Sequence, residues 1–140
     1  MNEKLMEIEK VANKYGESII NITTDEDITK FEKWLNVRLS QEDLSEYLSF
    51  INETNGFEFN GMIVYSIKLE AENNIYDANK VWTENADLNK YIFIADNDIT
   101  WYCYDITENY FCELDKPSGQ FITSYNNFNE MLEVLLALVV

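Results

Sequence analysis

The hydrophobic pattern of this chain changes its period twice. Apolar residues recur at helical spacing over residues 3–15 and again between Thr23 and Asn55, then follow strand-like patterns over much of residues 62–123, and return to helical spacing from Phe128. Helices, then a block of strands, then a closing helix is the order typical of α+β domains. We therefore predict an α+β fold with an antiparallel or mixed sheet, flanked by N-terminal helices and one C-terminal helix.

Three N-terminal helices are predicted from apolar spacing and capping residues. The first covers residues 3–15. The second begins at Thr23 or Thr24 and the third at Ser40, because an acidic residue follows each hydroxyl three positions later, as in a capping box. Asn55-Gly56 is suited to the left-handed backbone that ends helices, so it ends the third.

The remaining elements are mostly strands. Short turn signals separate the last four of them, which predicts an antiparallel meander. A short helix is predicted within residues 70–89, and Asn127 is the expected N-cap of the closing helix. The five predicted strands are Met62–Ile67, Tyr91–Ala95, Ile99–Asp105, Tyr110–Leu114 and Gln120–Thr123.

The charge of the chain is strongly one-sided. It has 26 acidic and 10 basic residues among 140, for a net charge of −16. Such a field repels nucleic acid and anionic membrane, so we expect neither as a partner. A basic protein is the complementary partner, because opposite fields accelerate encounter. Solubility alone is the other explanation of an acidic surface.

The residue types present exclude several kinds of catalytic and metal site. Without any histidine, the chain cannot form a Ser-His-Asp triad, a Cys-His dyad or a His-ligated zinc site, and two cysteines are too few for a tetrahedral one. A calcium loop starting at Asp96 would need Gly at its sixth position and Glu at its twelfth, which are Trp101 and Thr107. We expect no cofactor, no metal and no enzymatic activity.

Whether the two cysteines face each other depends on the length of one turn. If residues 106–109 form a four-residue turn, Asp105 faces Tyr110, and Cys103 then lies directly opposite Cys112. The pair is either a redox switch or two small buried thiols that stay reduced.

The chain is expected to form one domain over residues 1–140 in the cytoplasm. Its first residues lack the basic-then-apolar pattern of a signal peptide, and the apolar stretch 134–140 is too short to span a bilayer.

One segment resembles a known family. Residues 47–56 resemble the SUKH superfamily pattern, in which a Tyr precedes Phe-Leu by three residues and Asn-Gly closes the helix; here Tyr47, Phe50-Ile51 and Asn55-Gly56 stand at these positions. Upstream, Ile28 and Glu32 fit the preceding helix, and the later meander and apolar helix extend the similarity over residues 25–140.

The resemblance implies a protein-binding module. Many bacterial SUKH proteins are immunity proteins that neutralise toxins, often nucleases, and a fungal member regulates cell-wall glucan synthesis through protein partners. The superfamily has no shared catalytic site. The resemblance therefore favours an immunity protein that occludes a basic toxin domain, with a regulatory or scaffold module acting on the cell's own proteins as the alternative.

The candidate partner contacts lie in the meander. Acidic residues in its turns and rim would approach a cationic groove, and tyrosines would act as aromatic anchors, which interfaces favour. The tyrosines could instead pack in the core, and the turn carboxylates could simply stabilise a solvated hairpin tip. Catalysis by a pair of carboxylates is a third alternative. The predicted residues are Asp96, Asp98, Tyr102, Tyr104, Asp105, Glu108, Glu113 and Asp115.

Overall fold

The computed structural model of the protein describes residues 2–140. Within them, helices come first, strands follow, and a helix closes the chain, so the predicted α+β class is confirmed. The helices are α1 Glu3–Lys14, α2 Asp25–Trp34, α3 Gln41–Glu53, α4 Ile75–Trp82 and α5 Phe128–Ala137, with a short 3-10 helix at Ala86–Leu88. The strands are β1 Phe57–Phe59, β2 Met62–Val64, β3 Tyr91–Asp96, β4 Thr100–Asp105, β5 Tyr110–Asp115 and β6 Phe121–Tyr125.

Local capping residues set where the helices begin. Thr24 caps α2 in a complete capping box with Asp27, and Thr23 is outside it, donating its hydroxyl to the Ile51 carbonyl at 2.6 Å. Ser40 caps α3 and Asn127 caps α5, as predicted. These caps satisfy N–H groups that the first helical turn leaves without partners.

The strands form one sheet in the order β1-β2-β3-β4-β5-β6, with every neighbouring pair antiparallel. One isolated parallel bridge joins Ser66 to Asn74. The second strand is shorter than predicted, because Ser66 leaves the ladder and bonds instead to Asn73 and Ile75. Residues 57–59 pair with this strand and were not predicted, since three residues are too few to show alternation.

Both faces of β4 are covered by helices. On one face, Tyr104 stacks on Phe111 and Phe111 on Phe128 of α5, at centroid distances of 4.9 and 5.6 Å. On the other, Trp101 packs against Trp82 of α4 at 5.3 Å. All six residues of β4 are therefore buried.

The hairpin of β4 and β5 has the predicted register. Asp105 pairs with Tyr110 and Cys103 with Cys112. The two Sγ atoms lie 3.7 Å apart, and both cysteines are free and buried. The prediction of facing cysteines is confirmed.

Candidate protein-binding surface

The predicted contact residues lie at two opposite ends of the sheet. The β1–β2, β3–β4 and β5–β6 connections meet at one end, here called the three-turn end, which carries Asp96, Asp98 and Asp115. Asp105 and Glu108 lie at the other end of the six-residue β4. A strand of that length separates its ends by roughly 17 Å. The eight residues therefore do not form one compact site.

Four of the eight predicted residues are buried. They are Asp96, Tyr102, Tyr104 and Asp105, with exposed fractions of 5%, 1%, 4% and 2%. Both tyrosines have the core-packing role, the alternative to an exposed recognition face, because α5 covers their side of the sheet. Burial, followed by the nearby carboxylate of Glu113, raises the pKa of Tyr102 to about 12.

Asp96 is the centre of a buried polar network. It accepts a hydrogen bond from the Tyr65 hydroxyl, and its other oxygen lies 3.2 Å from Lys116 Nζ. Trp82 Nε1 donates to the Tyr65 hydroxyl at 3.0 Å, and Lys116 lies over the Trp82 ring. Burial, followed by the charge of Asp96, raises the pKa of Tyr65. These contacts join α4 to the sheet, so Asp96 has a structural role.

Asp105 has a similar structural role at the opposite end. One carboxylate oxygen accepts from the backbone N–H groups of Thr107 and Glu108 at 2.9 and 3.0 Å, and the other lies 3.5 Å from Lys90 Nζ. Asp side chains commonly stabilise turns by accepting such hydrogen bonds from backbone N–H groups. Glu108 itself is exposed on that turn.

Asp98 is exposed at the three-turn end, and Asp115 and Glu113 are half-buried. Sequence reasoning missed the apolar side chains beside them, Ile99, Phe121 and Ile122, which are 69%, 54% and 49% exposed. The position of Ile99 next to a turn was a usable signal. An apolar patch inside a polar rim is the usual arrangement of protein interfaces.

A separate groove of about 610 Å³ lies between α2, α4 and the start of β3. Its walls include Trp34, Tyr76 and Ile92. Burial raises the pKa of Tyr76 to about 12, so its hydroxyl stays protonated, and it donates to the Ile67 carbonyl at 2.8 Å. This hydrogen bond gives the Tyr76 hydroxyl a structural role rather than a catalytic one.

A protein-family model described as SUKH_6, SMI1-KNR4 cell-wall, matches residues 25–132, which is more than half of the chain. The chain belongs to the SUKH superfamily. A search of curated proteins finds no match. The matched part of this SUKH protein runs from the start of α2 into α5.

The residues that carry the SUKH resemblance build the core. Tyr47 is buried between Phe31 and Phe128, at centroid distances of 5.2 and 5.3 Å. Asn55 Oδ1 accepts from Ser66 Oγ at 3.0 Å and from the Ile67 N–H at 2.9 Å. Gly56 has a φ of +80°, and a Cβ there would lie 2.6 Å from the Ser66 nitrogen. The SUKH motif therefore contributes to the fold rather than to the surface.

No helix among residues 2–140 is long and apolar enough to cross a membrane. No group of three or more Cys, Asp or Glu side chains among them is arranged to hold a metal ion. The SUKH family is not known for enzymatic activity, and it is compatible with immunity or regulatory roles.

Proposed function

We propose that this SUKH protein is an immunity protein that binds and neutralises a basic toxin domain. The observation that carries the proposal is the patch at the three-turn end, where Ile99, Phe121 and Ile122 are exposed beside Asp98 and Asp115. The apolar side chains would supply contact area, and the carboxylates would face the toxin's cationic substrate groove. Binding there would block the groove sterically and electrostatically.

The net charge of −16 supports a cationic partner of this kind. Long-range attraction between opposite fields increases the rate of encounter, and it suppresses binding to acidic proteins. The buried Asp96 and Asp105 do not touch the partner, and each is neutralised by a lysine of the same chain, so the attraction comes from the other carboxylates. The direct contacts are assigned to the exposed Asp98 and the half-buried Asp115.

The test is protection of cells from the toxin domain encoded beside this gene. Co-expression of this protein should restore growth, and the purified proteins should form a one-to-one complex. Asp98→Lys should weaken binding several-fold, whereas the control Glu17→Lys makes the same charge change on an exposed residue after α1. Failure of the wild-type protein to bind or protect would overturn the proposal.

The alternative is a regulatory or scaffold module for the cell's own proteins. The family description, which mentions the cell wall, favours it. In that case, deletion of the gene should alter sensitivity to compounds that damage the cell wall. Cells without the gene should instead respond normally to such compounds if the protein serves only in immunity.

A further inference from the structure

The outer strand β6 has a free edge. Among residues 2–140 it pairs only with β5, through Phe111–Tyr125, Cys112–Ser124, Glu113–Thr123 and Leu114–Phe121, and it ends the strand order. Four of its five residues are exposed. An edge strand presents a row of N–H and C=O groups that can pair with another extended chain.

β6 has few of the features that usually prevent an edge strand from pairing with another chain. Its sequence, Phe121-Ile-Thr-Ser-Tyr125, contains no charged residue and no proline. Its one irregularity is a bulge at Ile122, which leaves the ladder regular from Thr123 to Tyr125. The opposite edge strand, β1, has only three residues, and shortness is itself a protection. The free edge of β6 is therefore the better place for an added strand.

The two faces beside this edge differ in chemistry. On one, Glu113 lies opposite Thr123 and binds the Tyr125 hydroxyl. On the other, the rings of Tyr110 and Phe121 lie 6.1 Å apart. Because side chains of a strand alternate between faces, an added strand would place one set of residues on the acidic face and the other on the aromatic face.

The charge around β6 indicates which kind of chain can pair with its free edge. Residues 117–140 include Glu130 and Glu133 but no Lys or Arg. Among residues 2–140, the carboxylates of Glu113, Asp115 and Glu130 form no ion pair with a lysine or arginine of the chain. A second copy of the chain would bring the same carboxylates and another −16 charge to the edge. A cationic strand instead supplies the missing counter-charge.

We propose that β6 accepts an extended segment of a cationic protein as a seventh strand of the sheet. Lys or Arg at alternate positions of that segment faces Glu113, and the intervening apolar residues pack on Tyr110 and Phe121. Main-chain hydrogen bonds supply affinity, and the alternating side chains supply specificity. This inference deepens the proposed function, since it rests on the same class of partner.

The experiment uses a capped synthetic peptide that alternates lysine with valine and the full-length protein. A control peptide has the same composition, with the lysines and valines in two blocks. Binding is followed by NMR, with hydrogen exchange of the β6 amides that point away from β5. We expect the alternating peptide to bind about tenfold more tightly than the control and to protect those amides.

Three variants distinguish a cationic strand from a second copy of the chain at this edge. Ile122→Lys should weaken binding of the alternating peptide about tenfold, and Ile122→Glu should weaken it much less, because only the first repels a cationic strand. Ile22→Lys adds the same charge at a residue that is 79% exposed in the segment between α1 and α2, and it should have no effect. The hydrogen-exchange pattern of the free variants shows that each is folded.

Two results would overturn the inference. One is equal binding of both peptides, or protection that appears away from β6. The other is a dimer of the free protein in sedimentation that both Ile122 variants abolish, since the edge would then belong to a second copy. Neither result depends on the toxin experiment, so failure of this inference and failure of the immunity proposal are separable.

Discussion

The side-chain amide of Asn79 pairs with the backbone of Phe93 as a neighbouring strand would. Asn79 Nδ2 donates to the Phe93 carbonyl at 2.9 Å, and Asn79 Oδ1 accepts from the Phe93 N–H at 2.7 Å. β2 ends at Val64, opposite Ala95, so no strand residue reaches Phe93 on that side. A helix side chain therefore completes the ladder and attaches α4 to β3.

Replacing Asn79 should destabilise the protein measurably. Asn79→Ala leaves a buried N–H and a buried C=O without partners, at a cost of about 1–3 kcal/mol for each group. We expect the free energy of unfolding in guanidinium to fall by about 2–5 kcal/mol. Asn52→Ala, at an exposed position of α3, is the control and should change it by less than about 0.5 kcal/mol. Equal effects of the two variants would show that the amide does not replace a strand.

The Asp96–Lys116 pair should stabilise the three-turn end. Asp96 is buried and the Lys116 side chain is 23% exposed, so the pair is partly screened from water. Lys116→Met should lower the free energy of unfolding by about 1–3 kcal/mol. In a double-mutant cycle with Asp96→Asn, the two effects should not add.

The Lys30–Glu26 pair is the matched control for that ion pair. Its distance of 3.1 Å is similar, but both side chains are exposed. Lys30→Met should therefore leave the free energy of unfolding nearly unchanged. A cost as large as that of Lys116→Met would contradict the assignment of the Asp96 network as buried.

The two cysteines should be unreactive while the protein is folded. Both have an exposed fraction of 0%, and burial raises the pKa of Cys103, so little thiolate is available. A chromogenic disulfide reagent should modify them only at the rate of unfolding. A Ser45→Cys variant, at an exposed position of α3, should react at once as the positive control. Fast modification of the wild-type protein would instead favour the redox-switch interpretation.

The stability of the protein should fall at alkaline pH. Burial raises the pKa of Tyr102 to about 12 and also raises those of Tyr47 and Tyr65 above the ordinary value. Unfolded tyrosines ionise near about pH 10, so above that pH the unfolded state binds fewer protons than the folded state. The free energy of unfolding then decreases by about 1.4 kcal/mol per pH unit for each such tyrosine.

Denaturation series below and above about pH 10 measure this slope. Tyr102→Phe removes one ionising group and should make the slope shallower. A free energy of unfolding that stays constant through this window would mean that the tyrosines titrate equally in both states.

Local signals allowed much of the fold to be predicted. Thr24, Ser40 and Asn127 begin helices because their side chains accept hydrogen bonds from backbone N–H groups three residues later. The residue types and their spacing in the sequence predict these bonds. The facing of Cys103 and Cys112 followed from the length of a single turn. Such features depend on neighbours in the chain rather than on packing.

The candidate site was harder to predict, because it depends on contacts between distant elements. The burial of Tyr102 and Tyr104 results from helices that pack across the sheet, and Asp96 is buried because Lys116 and Tyr65 come to it from other segments. The exposure of Phe121 follows from the position of β6 at the edge, which the strand order decides. Alternation along each strand could not distinguish these cases.

The measurement that tests the central claim most directly is the association rate constant with the neighbouring gene's toxin domain, measured as salt is varied. Stopped-flow mixing between about 0.05 and 0.5 M salt covers the range in which the screening length falls below the size of the interface. Attraction by a protein of net charge −16 predicts a rate constant that falls about tenfold or more across this range. A rate constant that stays the same would contradict electrostatic recognition of a basic partner.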